Sequence, residues 1–298
     1  MNRRQFINSS AALIAAGSII AGKDVLAATS ATPKPNKGRI GIQLYSVRND
    51  LPNDFVGTLK KISDMGYSEV ETYGLNGDKF FNYAIKDFRK LLRDMGMSMS
   101  STHAGSGILP ENTNAPEWDY WKTIAATVKD GGGKWVVQAG FPGARNVDDL
   151  KQIAQHFNRI GEVCKKSGLK FAYHNHHREF SEIEGEVILE YLIKNTDRRL
   201  VSFQLDMGHA VRGGADCLRL LREYGTRIPL WHASDYDRTS QQYVDVGKGD
   251  VPYKALFELR RTGGLQVLTV EQETIENIFG SLKNNFDYLK QFKWTKAG

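Results

Sequence analysis

The sequence predicts one closed (β/α)8 barrel in a single domain, and three observations carry that prediction. Short β-rich runs alternate with longer amphipathic segments, and the alternation occurs eight times. Glycines stand where several of the helical segments stop, each followed within a few residues by the next apolar run. The 298-residue chain has no second compositional block, no low-complexity tract and no second apolar span, so one large core is expected. Eight is also the number of parallel strands that closes such a barrel. An open doubly wound sheet is the alternative, but no Gly-x-Gly-x-x-Gly turn follows the first strand.

The strands are expected at Ile40–Ser46, Glu69–Tyr73, Ser98–His103, Trp135–Ala139, Lys170–Asn175, Ser202–Asp206, Pro229–Ser234 and Val267–Gln272. Their β-branched and aromatic content and their short length separate them from the intervening helices. The apolar residues between them recur at helical spacing over Phe55–Met65, Ile85–Met95, Ile153–Ser167, Glu186–Lys194, Cys217–Tyr224 and Tyr253–Thr262. A last helix, Ile275–Phe292, closes the chain. Gly66, Gly96, Gly168, Gly225 and Gly263 stand where a left-handed helix cap is expected.

Residues 1–27 read as a cleavable export signal. Arg3 and Arg4 precede an apolar, small-residue run from Ala11 to Ala21, and Val25-Leu26-Ala27 supplies a cleavage site. The paired arginines indicate the twin-arginine route, and hence a periplasmic protein. The run is short for a membrane span, so no stable span is expected after processing. Residues 28–37 read as a flexible lead-in, and 38–298 as the barrel. Cleavage after Ala27 leaves 271 of the 298 residues, close to the ~250 typical of the fold. It removes Arg3, Arg4, Lys23 and Asp24 and lowers the formal charge from +6 to +4, spread without a basic run. Nucleic acid is therefore not an expected partner. Cys164 and Cys217 fall in core-facing helices and read as two buried free thiols.

Barrel enzymes build their sites from the C-terminal strand ends, and ionisable residues collect there in this sequence. Strand two ends in Glu71 and strand three in His103. Strand five ends in His174, Asn175, His176 and His177. Strand six ends in Asp206, with His209 after it. Strand seven carries His232 and Asp235, and strand eight Glu271 and Glu273. Each unpaired charge in such a place costs several kcal/mol to desolvate, and a metal ion offsets that cost. His174, Asp206, His232 and Glu271 are the expected ligands. Imidazole and carboxylate together suit one divalent ion of the Mn, Co or Zn kind better than Mg or Ca. His176 and His209 read as neighbours of the ligands or of the substrate, His177 as solvated, and His156 as a surface residue on a helix. Glu179 either orients the histidines or caps the following helix. Tyr45, Tyr73, Trp118, Trp121 and Phe141 are candidates for stacking on a sugar ring.

The runs Tyr173-His174-Asn175-His176, Leu205-Asp206-Met207-Gly208-His209, Trp231-His232-Ala233-Ser234-Asp235 and Val270-Glu271-Gln272-Glu273 also carry a resemblance. Together with Gly41-Ile42-Gln43-Leu44-Tyr45-Ser46, Gly66-Tyr67, Val70-Glu71 and Gly247-Lys248-Gly249-Asp250, they resemble the sugar phosphate isomerase/epimerase family. That family lies in the xylose isomerase-like barrel superfamily, beside inosose dehydratases, ketose 3-epimerases and endonuclease IV. The resemblance covers nearly the whole barrel. It implies one metal held from strands five to eight, which falls on His174, Asp206, His232 and Glu271. His174 departs from the glutamate of ketose epimerases. It further implies substrate contacts at His209 and Arg238, with Glu273 and Lys248 as further substrate-binding positions.

The implied chemistry is proton abstraction next to a carbonyl, with a metal-stabilised enediolate. Glu271, Glu71, His176 and His103 are the candidate catalytic acids and bases, with Glu273 another. Only one of the two glutamates that flank an epimerase substrate is kept, so one-sided elimination fits better than symmetric epimerisation. The expected substrate is a small carbohydrate, and export favours an unphosphorylated keto-sugar or 3-keto-glycoside. Homo-oligomerisation is left open. The endonuclease branch is disfavoured because the loop Thr239-Ser240-Gln241-Gln242-Tyr243 supplies no additional His or Asp ligand. A non-catalytic sugar-binding barrel is the rival of another class.

Overall fold

The computed structural model describes residues 38–273 and 276–294. The proposed leader 1–27, the lead-in 28–37 and the expected helix start at Ile275 lie outside the described residues. Eight parallel strands close into a barrel: β1 (Ile40–Gln43), β2 (Glu69–Tyr73), β3 (Ser98–Ala104), β4 (Trp135–Gln138), β5 (Lys170–His174), β6 (Val201–Asp206), β7 (Leu230–Ala233) and β8 (Val267–Val270). Their order around the barrel is the chain order, and β8 pairs back onto β1. The helices are α1 (Phe55–Met65), α2 (Ile85–Asp94), α3 (Asp119–Gly131), α4 (Val147–Lys166), α5 (Ile188–Asn195), α6 (Met207–Arg212), α7 (Cys217–Tyr224), α8 (Tyr253–Glu258) and α9 (Ile278–Leu289). No helix among the described residues is long and apolar enough to cross a membrane.

Side chains alternate across each strand, which divides the apolar interior in two. Outward residues such as Ile42, Val70, Phe203, Leu205, Trp231 and Leu268 join the helices in one large core. Trp135, Val137, Ala172, Leu230 and Val267 form a separate cluster. They lie in or near the N-terminal halves of their strands and fill the lower barrel. Above them the interior turns polar. Gln43 lies beside Glu71 in the β1–β2 register, Gln204 beside His174, and Asp206 beside His232. A register shift between Val70 and Glu71 adjusts the β2–β3 pairing at this level.

Several expected boundaries move for local reasons. The first strand stops at Gln43, whose side chain accepts from Tyr45 N–H and starts a 3-10 turn over Leu44–Val47. Asn146 caps Asp149 N–H, so α4 begins six residues before the expected Ile153. The expected list omits α3 and α6, and α8 ends before the expected Thr262. Gly66, Gly96 and Gly168 have positive φ, as a left-handed cap needs, whereas Gly225 sits at φ −51. Gly225 and Gly263 instead allow close packing, since a Cβ on Gly225 would lie 2.6 Å from Gly263 Cα. His156 is fully buried, against the surface reading, because its face of α4 packs on Trp118. Burial pushes its imidazole down to about 4. Cys164 and Cys217 are both buried and unpaired, as expected.

Candidate functional site

The strand ends bring four expected donors together. One ligand atom each from His174, Asp206, His232 and Glu271 lies within 4.8 Å of the others, and all four residues are buried. The sequence sets this up locally. Asp206 ends β6 and caps α6, its Oδ1 accepting from His209 N–H at 2.7 Å and from the Ser234 hydroxyl at 2.5 Å. Asn175 braces the same turn, accepting from Asp206 N–H and donating to Asp206 C=O. His232 stands on the floor between two carboxylates, with Nδ1 2.9 Å from Glu271 Oε2 and Nε2 2.6 Å from Glu71 Oε1.

Glu71 is fully buried and surrounded by donors. Gln43 and Gln204 donate their amides to it, each at 2.9 Å, and His103 Nε2 lies 3.0 Å away. Burial alone would raise its carboxyl, but His103 and His232 outweigh burial and hold it well below the usual range. Burial opposes charge on His232 too, yet Glu71 and Glu271 lift that imidazole to about 10. Asp206 goes the other way: burial, with Glu271 as a like charge, raises its carboxyl despite His209 and His232. Burial and the neighbouring His232, His103, His176 and His209 drive His174 well below the usual value, so it stays neutral. Its Nδ1 is buried without a hydrogen-bond partner. A neutral imidazole, an under-compensated carboxylate and an orphaned nitrogen are the features a divalent cation would satisfy, so the residues fit the metal.

A cavity of about 570 Å³ opens above this floor. His103, His174, His176, His177, His209, Glu271 and Glu273 line it, which removes His177 from the solvated class. His209 Nε2 lies 3.1 Å from Glu273 Oε1, and its Nδ1 meets the Tyr243 hydroxyl. Glu179 is buried behind the histidines, takes the Tyr173 hydroxyl at 2.5 Å and faces His176 Nδ1 at 3.8 Å. Tyr45 and Tyr73 lie on the cavity wall, meeting edge to face. Trp118 and Trp121 do not, being fully buried in the core.

Two expected substrate contacts lie elsewhere. The exposed Arg238 turns its guanidinium to the Val211 carbonyl and its N–H to Asp250, and Lys248 pairs with Asp245 at 2.8 Å. Neither lines the cavity. Asp235 is a structural clamp, accepting backbone N–H groups from Tyr236, Gly247, Gly249 and Val251. Gly249 is needed there because a Cβ would lie 2.4 Å from Asp235 Oδ1. The cationic side chain on the cavity wall is Arg212, at the end of α6, with its guanidinium 5.7 Å from the Tyr243 ring centre. Arg212 and Tyr243 were not among the expected residues. The hairpin Asp235–Asp237 with Gln242–Val244 carries Tyr243 to His209, and only its position after strand seven hinted at that.

A family model described as xylose isomerase-like TIM barrel matches residues 59–297. The chain is 26% identical over 131 residues to an inosose dehydratase from Clostridium perfringens, a match covering 38% of this chain and 43% of that protein. The chain thus spans less than half of that relative. Against the inosose dehydratase from Geobacillus kaustophilus it is 25% identical over 224 residues, 67% of this chain and 70% of the relative. The crystal structure of a sugar phosphate isomerase/epimerase from Parabacteroides distasonis superposes with a TM-score of 0.76 at 29% identity. That superposition covers 88% of this chain and 96% of the other.

Proposed function

We propose that this chain, which belongs to the xylose isomerase-like TIM barrel family, is a divalent-metal-dependent lyase or isomerase acting on a keto-sugar. The observation that carries this reading is the convergence of His174, Asp206, His232 and Glu271, of which His174 and Glu271 line the mouth cavity. These four residues would hold the ion, of the Mn, Co or Zn kind. When bound, it would supply Lewis-acid polarisation of a substrate carbonyl.

The chain's own groups account for the rest. Glu271 reaches the cavity wall and takes the proton from the carbon next to the carbonyl. His103, also on the wall, is lifted above its usual value by Glu71 against the opposing effect of burial, and gives a proton to the leaving oxygen. Glu71, buried beneath the cavity, does not reach substrate. It accepts from His232 and His103 and sets the orientation of both rings, the part a carboxylate plays behind a ligand histidine. Tyr45 and Tyr73 pack against the sugar, and Arg212 holds its polar end.

With a histidine at position 174, the two walls carry different acid–base groups, which favours elimination over two-base epimerisation. The inosose dehydratase relatives support the same direction. The leader reading places the protein in the periplasm, where an unphosphorylated keto-sugar or 3-keto-glycoside is the suitable substrate. Turnover of 3-keto-glycosides, free ketoses and ketose phosphates should be compared with Mn, Co and Zn present. Activity on the unphosphorylated keto compounds is expected, and activity confined to the phosphates would overturn the substrate assignment.

A further inference from the structure

The N-terminal end of the barrel, opposite the mouth, carries a cavity of about 440 Å³ lined by Lys165, Lys170, Arg198, Arg199 and Arg261 and, among the described residues, by no carboxylate. It lies beneath the lower apolar cluster. Trp135, a member of that cluster and the first residue of β4, lines it, as do Pro229 and Gln266, which precede β7 and β8. A neighbouring cavity of about 540 Å³ shares Arg261 and adds Arg39, Arg260, Lys290 and Lys293, again with no carboxylate among the described residues that line it. The mouth differs, since Glu271 and Glu273 stand on its wall beside Arg212.

Cations at this end have an ordinary explanation, because helix C-termini converge there and a cation in the last turn offsets the macrodipole. That explanation covers Lys165, in the last turn of α4. It does not cover Lys170, Arg198 and Arg261, which stand at the start of β5, in the loop before β6 and beyond the end of α8. Elsewhere lysines meet aspartates four residues on, as in Lys60–Asp64, Lys90–Asp94 and Lys283–Asp287. On the cavity wall Arg199 takes Asp197 at 2.6 Å, but Lys165, Lys170, Arg198 and Arg261 form no ion pair among the described residues. Lys170 Nζ instead donates to the neutral Gln266 Oε1 at 3.2 Å and lies 5.0 Å from the Trp135 ring centre. Positive charge is in excess here: burial first, and then the like charge of Arg198, lowers Arg227 below the usual guanidinium value, with Asp197 opposing.

We propose that this cavity binds a small anion carrying two phosphoryl groups, with Arg198 and Arg261 holding its oxygens and Lys165 and Lys170 neutralising its charge. Planar guanidinium forks match phosphoryl oxygens in pairs, and ammonium groups act as point charges beside them. Arg199 remains with Asp197 at the rim. The volume falls in the range of small-molecule pockets, about 300–1,000 Å³, which suits a diphosphate or a bisphosphorylated compound of sugar size. The site lies at the far end of the barrel from the metal donors. Its ligand is therefore not the substrate, and the assignment stands independently of the reaction proposed for the mouth.

The test is isothermal titration calorimetry of pyrophosphate, fructose 1,6-bisphosphate and orthophosphate into the full protein, stripped of metal so that chelation at the mouth does not register. A single saturable site per chain is expected, tighter for the two-phosphoryl probes than for orthophosphate. Equal affinity for the two would make the diphosphate unit sufficient, and preference for the bisphosphate would add an organic body to the ligand. Replacing Arg198 and Arg261 together by Ala should weaken binding at least about 10-fold, and Arg212→Ala at the mouth should leave it unchanged. Arg198 and Arg261 are exposed, so their loss spares the core, and circular dichroism checks that the variants are folded. Binding lost in Arg212→Ala and kept in the double variant would overturn the site and move the anion to the mouth. No saturable binding, or binding of a polyanion such as heparin with none of the small probes, would overturn it as well.

Discussion

Replacing Glu71 by Gln separates orientation from catalysis at one position. Glu71 sits 2.6 Å from His232 Nε2 and 3.0 Å from His103 Nε2, and it receives two amide donors from Gln43 and Gln204. Glutamine keeps the shape and one acceptor but removes the charge, and it sets an amide N–H₂ against groups that are themselves donors. Loss of a carboxylate behind a ligand histidine typically weakens metal binding about 10–100-fold, or about 1.4–2.7 kcal/mol. Breaking a buried ion pair adds a loss of stability of about 3–5 kcal/mol, discounted here because the amide keeps part of the network. Competition with a chromophoric zinc chelator would measure affinity, with circular dichroism melting beside it. The expected result is weaker metal binding and a lower midpoint, with turnover recovered at high metal concentration. Unchanged affinity with turnover abolished at saturating metal would refute the positioning role and return Glu71 to the candidate bases.

The remaining predictions concern stability and reactivity. Burial lowers His156 to about 4, so the unfolded chain takes up a proton near pH 6.5 while the folded one resists. This contribution is intact above about pH 6.5 and is lost as pH falls toward 4, by up to about 3 kcal/mol. Thermal midpoints followed across that window should fall less steeply in His156→Gln, and parallel curves would count against the assignment. Burial pushes the Cys164 and Cys217 thiols up to about 12. Ellman's reagent at pH 8 should therefore find no reactive thiol in the folded protein and two in guanidinium. Asp235→Ala strips the acceptor from four backbone N–H groups, and a loss of about 2–4 kcal/mol is expected in denaturant titration. A variant as stable as the wild type would show that the loop does not depend on the clamp.

The barrel was legible because its strands are short, apolar and separated by helical spacing, and β2, α1 and α7 fall at their expected ends. What escaped has identifiable causes. The segment that forms α6 starts directly after the last residue of β6 and is six residues long, too short to show helical spacing. Gly225 and Gly263 carry the composition of a cap but serve as a point of close approach, which requires knowing which helices meet. The floor donors could be anticipated because each lies at, or within one residue of, the end of its own strand. Their supports could not, because Gln43 and Gln204 reach Glu71 from different strands, and that depends on register and barrel closure. Arg238 was misplaced for a similar reason: the hairpin after β7 turns it toward Asp250, while Arg212 reaches the cavity from α6. His156 lies on a helix whose inner face is wider than an apolar count suggests.

The central claim is that the metal-loaded mouth removes a proton from the carbon next to a substrate carbonyl. The most direct measurement is release of label from a keto-sugar or 3-keto-glycoside carrying deuterium at that carbon, followed by NMR. Metal-loaded protein should transfer the deuterium to water as turnover proceeds, and chelated protein and Asp206→Ala should not. Turnover with the label retained, or label release undiminished by metal removal, would contradict the account.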